Sequence, residues 1–338
     1  MKQVLSNFPP FRVLEERDFA WIESIAQTKT YPPGTVLVEA GKSTSIYICL
    51  SGNLAVTMSP LENSQQELTT FSAGEIIGEN LLLEQPGVTI TVTESAELLV
   101  LPKDQVNKKL QQDREFAAKL YQLLSICLSE RLRKLTKLMA AKNVKEGEPL
   151  RKVLVVFATL NDSDIAWMVA NGVSEKAALG HALIQQEKPV PAVYLLLEGM
   201  LGIYVSIPQN GTFVEKEVAK RVKGEILGEM SFVDGGTASA SVKALENAWV
   251  LALPQKTLAA KFQEDRGFAE RFYRSLAVIL FNRCLDLLVR ASLVNSNQSS
   301  VEMLSEDIEV EDELDLDLLE GTAIAGSRFE WMIQQLRR

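Results

Sequence analysis

The sequence predicts a mainly β protein with flanking helices, built as two small β-rolls in tandem. Three observations carry that prediction: a long unit occurs twice, its middle alternates apolar and polar residues with period two, and its end changes to a helical period. SIYICLSGNLAVTM (45–58) matches AVYLLLEGMLGIYV (192–205), with Gly52 and Gly199 147 residues apart. GEIIGENLLL (74–83) matches GEILGEMSFV (224–233) at an offset of 150. SAELLVLPKDQV (95–106) matches ENAWVLALPQKTL (246–258), and QDREFAAKLYQLL (112–124) matches EDRGFAERFYRSL (264–276), both near an offset of 152. Four collinear matches at almost constant spacing establish a duplication.

Within the first copy, Tyr31 to Met58 reads as short strands. Ile46, Ile48 and Leu50 alternate against Tyr47, Cys49 and Ser51, and Gly52 turns the chain into Leu54, Val56 and Met58. Pro33, Gly34 and Gly41 punctuate the earlier strands. After Pro102, Phe116, Leu120, Leu123, Leu124, Cys127, Leu128 and Leu132 fall on one broad helical stripe. The polar spacer 142–150, with Gly147 and Pro149, marks a boundary. The expected organisation is domain 1 over 1–145, domain 2 over 146–294, a flexible acidic linker over 295–326 and a short amphipathic helix over 327–338.

Composition narrows the class. A chain of 338 residues is long enough for two cores, and 46% hydrophobic with 23% charged residues is ordinary for globular proteins. The apolar runs 194–205 and 276–281 fall short of the roughly 20 residues that span a bilayer, and MKQVLSNFPPF lacks a signal-peptide core. Cys49, Cys127 and Cys284 form an odd set without CxxC spacing, each in an apolar segment, so reduced, buried thiols and a cytoplasmic location are expected. Residues 302–320 hold ten acids and no base, enough to account for the whole net charge of −9. No cluster of cations marks a nucleic-acid surface.

The strand framework YPPGTVLVEAGKSTSIYICLSGNLAVT, the two GE-hydrophobic-hydrophobic-GE stretches and the closing helix with LSERLRKL resemble the cyclic nucleotide-binding domain family. That resemblance implies two jelly-roll, double-stranded β-helix domains of the cyclic nucleotide-binding type, over residues 5–137 and 150–290. It implies that each GE stretch is a phosphate-binding cassette. Gly78, Glu79, Asn80, Leu81 and Thr89 are then the ligand positions of the first, and Gly228, Glu229, Met230, Ser231 and Ser239 those of the second. The Glu would accept the ribose 2′-hydroxyl, and the start of the short helix would offer its N–H groups to the phosphate. The arginine that the family pairs with the phosphate falls on Val88 and Ala238, neither of them basic, and residues 74–102 hold no Lys or Arg. Losing a charge-assisted pair in a partly buried pocket costs on the order of 2–5 kcal/mol. Tight cAMP or cGMP binding is therefore not expected, and no cofactor is required. Two routes past this remain: a cation from elsewhere, with Lys188, Lys220 and Arg221 as candidates, or a different ligand. A cyclic nucleotide in domain 2 is thereby kept open.

His181 is the only histidine, and HExxH, GxSxG and GxxxxGKS are absent, so no catalytic residue and no metal site is nominated. In SRFEWMIQQLRR, Ser327 and Glu330 form a capping-box pattern, and Phe329, Met332, Ile333 and Leu336 recur at helical spacing. Phe329, Trp331, Met332, Ile333 and Leu336 are the candidate partner-binding residues, for docking on the chain's own domains or in another protein's groove. The alternating 308–319 stretch reads as a solvated linker, with pairing as a strand the alternative. Leu124, Leu128, Leu132, Leu135 and Met139 form a seam for pairing between subunits or between the two repeats. The expected function is a non-enzymatic regulatory or scaffold protein acting through protein contacts. The alternatives are a cyclic-nucleotide or other small-ligand sensor through domain 2, and a regulatory subunit of a separately encoded enzyme.

Overall fold

The structure, a computed structural model, describes residues 2–38, 44–58, 66–141, 154–209, 212–296 and 316–338. Gly41, the spacer 142–150, the boundary at 145/146 and most of the acidic tract lie outside the described residues.

The first domain opens with α1 (Lys2–Leu5), a 3-10 turn (Pro9–Val13) and α2 (Glu16–Ile25). Its roll is β1 (Gln27–Tyr31), β2 (Val36–Val38), β3 (Ser45–Ser51), β4 (Leu54–Met58), β5 (Gln66–Phe71), β6 (Ile76–Ile77), α3 (Asn80–Leu83), β7 (Thr89–Val92) and β8 (Ala96–Pro102). α4 (Lys103–Gln112) and the long α5 (Arg114–Ala141) close it. The second domain repeats the order: α6 (Val155–Thr159), α7 (Asp162–Asn171), β9 (Val173–Ala177), β10 (Ala182–Ile184), β11 (Ala192–Glu198), β12 (Leu201–Gln209), β13 (Thr212–Arg221), β14 (Ile226–Leu227), α8 (Glu229–Asp234), β15 (Ser241–Ala244), β16 (Ala248–Pro254), α9 (Gln255–Glu264) and α10 (Arg266–Ser296). A final helix, α11 (Leu316–Leu336), follows.

Each roll is two four-stranded antiparallel sheets, β1-β8-β3-β6 with β2-β7-β4-β5 in the first and β9-β16-β11-β14 with β10-β15-β12-β13 in the second. The central strands β8, β11 and β16 form on buried apolar runs, whereas the exposed, polar β1 and β9 are held by pairing to β8 and β16. β11 is buried throughout except at Glu198, because its outer face also lies beneath helices. α7 starts where its cap says: the Asn161 side chain accepts from the Asp164 N–H, and Asp164 accepts from the Asn161 N–H, both at 2.9 Å. Asp164 is 2% exposed and also receives the Arg271 guanidinium through two bonds, at 2.6 and 2.8 Å. In the first domain Lys119 stands at the corresponding place beside Asp18, at 3.3 Å.

One apolar cluster runs from the first roll through α5 and α10 into the helices of the second domain. The seam expected along α5 is used inside the chain: Leu124, Leu128, Leu132, Leu135 and Met139 are all buried, and α5 packs along α10. The Ser125 hydroxyl, fully buried, donates to the Tyr273 carbonyl at 3.1 Å. All three cysteines are free and buried. Burial pushes the Cys49 thiol up to about 11 and that of Cys127 higher still, so both stay protonated near neutral pH.

The carboxy-terminal expectation needs correction. α11 begins at Leu316, so residues 316–326 are helix rather than linker, and the strand alternative fails at 316–319. Ser327 is not an N-cap, since it lies inside the helix and its hydroxyl donates to the Ala323 carbonyl at 3.0 Å. The cause is tertiary packing: Ala325, Phe329, Met332 and Ile333 are buried against α6 and α7, and that burial carries the helix through Gly321 and Gly326, whose propensity alone argues against it. The Phe157 and Phe329 rings meet edge-on at 5.1 Å. Arg328 fixes the register by donating to the Phe157 and Leu160 carbonyls at the end of α6, at 2.9 and 2.7 Å, and to Asp162 at 2.7 Å. Three of the candidate partner-binding residues, Phe329, Met332 and Ile333, are thus consumed within the chain. Leu336 packs half-buried, and Trp331 stays 41% exposed.

Candidate functional site

Each cassette is a glycine turn feeding a short helix. Gly78 and Gly228 have φ of +84° and +76°, and a Cβ there would lie 2.9 Å from the Ser45 carbonyl or 2.8 Å from that of Ala192. Both the left-handed turn and the close approach therefore require glycine. The turn delivers Glu79 and Glu229 to the inside of the roll, where they are 4% and 2% exposed.

A buried carboxylate needs a partner, and each has one that lies outside the cassette. Arg131, on α5, pairs with Glu79 and donates to the Ile76 carbonyl at 2.9 Å. Arg283, on α10, pairs with Glu229 at 2.5 Å and donates to the Ile226 carbonyl at 2.8 Å. The two arrangements are the same construction in the two repeats. Arg131 also stacks over the Phe71 ring at 4.3 Å. Burial is the largest single influence and works against the charge of the Arg131 guanidinium, but the surrounding groups, the Glu79 carboxylate first, together outweigh it, so its pKa stands above the ordinary arginine value.

Of the two routes past the missing phosphate arginine, a cation from elsewhere is present, although not from the residues nominated for it: a guanidinium reaches each cassette's glutamate from the helix that closes its own domain. Of the three candidate cations, Lys188 and Lys220 are exposed, whereas Arg221 is buried and lines the second cavity. The arginines that pair with Glu79 and Glu229 were missed because they lie 52 and 54 residues downstream. A signal was present: an arginine stands inside an apolar helical stripe at the same place in both repeats.

The two cavities differ. The first is about 20 Å³; Gly78, Glu79, Asn80 and Val88 line it, and Phe281, Leu285 and Leu288 of α10 fill its mouth from the other domain. Leu81 and Thr89 are not on its wall, and the Leu81 N–H donates to the Gly78 carbonyl at 3.1 Å rather than inward. The Asn80 amide donates to the Gln85 carbonyl at 3.3 Å, within its own loop. The second cavity is about 80 Å³, and Gly228, Glu229, Met230, Ser231, Ala238 and Ser239 all line it. Leu132 and Thr136 of α5 cover it, so each domain's long helix shields the other domain's cassette. Both volumes lie well below the roughly 300–1,000 Å³ usual for small-molecule pockets. Ala238, where the family pattern expects arginine, is 5% exposed, and its backbone bonds to Glu187 and Lys188. Among the described residues no cluster of His, Cys, Asp and Glu suits a metal ion, and no helix is long and apolar enough to cross a membrane.

The family model described as cyclic nucleotide-binding domain matches residues 28–113 and 175–265, together more than half of the chain. Among solved structures, the regulatory domain of Toxoplasma gondii PKA with cAMP is similar at 19% identity, covering 80% of this chain and 92% of that one, with a TM-score of 0.29. The regulatory subunit of a cAMP-independent protein kinase A from Trypanosoma cruzi bound to guanosine is 17% identical, with 79% and 87% covered and a TM-score of 0.29. The N-terminal domain of a transcriptional regulator from Streptomyces coelicolor A3(2) is 26% identical, covering 40% of this chain and 94% of that one, with a TM-score of 0.34. No curated protein matches the sequence. With the family model matched once in each roll, the chain belongs to the cyclic nucleotide-binding domain family and carries that domain twice.

Proposed function

We propose that this chain is a non-enzymatic, cytoplasmic regulatory or scaffold protein that acts through protein contacts and does not hold cAMP or cGMP tightly in either cassette. One observation carries the reading: the glutamate that would receive a ribose hydroxyl is already neutralised by a guanidinium from α5 or α10, while the phosphate-arginine positions hold Val88 and Ala238. A cyclic nucleotide would have to compete with a buried ion pair and displace the other domain's helix, with no charge of its own to meet at residue 88 or 238. Isothermal titration of the full chain with cAMP and with cGMP tests this. No saturable heat at micromolar concentrations is expected, and micromolar binding abolished by Glu229→Ala would overturn the reading.

A second reading is favoured by the second cavity alone. It is the larger, and with Arg283 already paired to Glu229 it still brings Arg221 together with Ser231, Ser239 and Thr136, a set of donors suited to an anionic small ligand. Under it the second domain senses such a ligand, and binding there would be lost on substitution of Arg221 while the first cassette stays silent.

A further inference from the structure

A single stretch of α5 touches both cassettes. Ser129, Leu132, Arg133 and Thr136 follow the i, i+3, i+4, i+7 spacing of one helix face, and all four meet the second domain. The Ser129 hydroxyl donates to Asp234 Oδ2 at 2.9 Å. Arg133 holds the same carboxylate through Nε at 2.9 Å and Nη2 at 3.2 Å. Asp234 is the last residue of α8, the helix that Glu229 begins, and it also accepts the Gly236 N–H at 2.9 Å. Arg131 lies between these residues, roughly 200° around the helix from Ser129, and points the other way into Glu79. The ion pair at the other cassette is weaker in kind: Arg274 of α10 reaches Glu84, just after α3, at 2.8 Å, but the Glu84 side chain is 78% exposed.

We infer that α5 is a shared strut, in which Asp234 of the second cassette sets the position of α5 that seats Arg131 on Glu79 of the first. Asp234 is a positioning residue for a site on a different domain, and the two cassettes behave as one energetic unit. A side chain bonded twice by an arginine and once by a serine fixes both the rotation and the height of a helix. Releasing it lets α5 turn or slide, and Arg131, buried and bonded in two directions, tolerates neither. A change in α8 is thereby felt at β6 and α3 through α5.

Hydrogen exchange on the full chain, wild type against Asp234→Asn, reads this directly. Amides of Ile76, Ile77 and residues 80–83 are expected to exchange at least about three-fold faster in the variant, while β1 of the same domain stays within about two-fold. Faster exchange confined to residues 229–236 would overturn the inference, as would a uniform rise across the first domain, which would report general destabilisation. Ser129→Ala removes one of the bonds to Asp234 and should give the same pattern at smaller amplitude; no change at residues 76–83 in either variant counts against the strut. Pairing Asp234→Asn with Glu79→Gln supplies an independent readout. Unfolding constants that multiply within about two-fold are those of uncoupled sites, whereas a deviation of three-fold or more supports coupling.

Discussion

Replacing Arg283 by methionine removes the guanidinium from the second cassette while keeping most of the side-chain volume. Glu229, 2% exposed, is left without the cation that meets it at 2.5 Å, and the Ile226 carbonyl loses a donor at 2.8 Å. Removing one member of a buried ion pair costs about 3–5 kcal/mol, because the remaining charge stays desolvated. The lower figure already shifts the folding equilibrium by a factor of about a hundred. Urea unfolding followed by tryptophan fluorescence measures it, since Trp167 and Trp249 both belong to the second domain. Adding Glu229→Gln removes the stranded charge and leaves an amide able to donate, so the double variant should recover half or more of the loss. A single-variant cost below about 1 kcal/mol, or a double variant no more stable than Arg283→Met alone, would refute the argument that the pair closes the cassette. Arg131→Met should cost at least as much in the first domain, since it also gives up the Phe71 ring.

Two further outcomes follow from other parts of the molecule. Phe329→Ala empties the contact with Phe157 and should release α11, raising limited proteolysis between residues 316 and 336, whereas Trp331→Ala, half outside the interface, should leave the pattern unchanged; equal effects would deny the docking described here. Asp113 accepts from Lys109 at 2.8 Å and from the Phe116 N–H at 3.0 Å, and the Lys109 bond leads the causes that hold its carboxyl below the ordinary value of 3.8. A carboxyl depressed in the folded state stabilises above its unfolded pKa and loses that contribution as pH falls through the folded one. Asp113→Asn should therefore lower stability at neutral pH and flatten the loss of stability below about pH 4. An acid limb as steep as that of the wild type would oppose this assignment.

What could be read from the residues is what depends on neighbours in sequence. The duplication, the alternating strands and the glycine turns at 78 and 228 follow from local spacing, because period and turn chemistry act over a few residues. The short helix after each turn follows for the same reason. The partners of Glu79 and Glu229 do not, because they come from the far end of each domain, and a search for cations within 74–102 looks in the wrong place. Arg131 sits among Leu128, Leu132 and Leu135, and a stripe of that kind reads as apolar seam until the one charge in it is asked where its counterion is. The same long-range dependence governs the cavities. Phe281, Leu285 and Leu288 cover the first cassette only because two copies of the domain stand in one chain and their closing helices meet. α11 was legible as an amphipathic face but not as a docked one, since the groove that receives it is built from residues more than 150 positions earlier. A charged residue on a buried stripe, repeated at the same place in both copies, is the pattern that ties these together. It requires an opposite charge inside the fold, and in this sequence the two acids that open the cassettes are the pair that matches it in number and spacing.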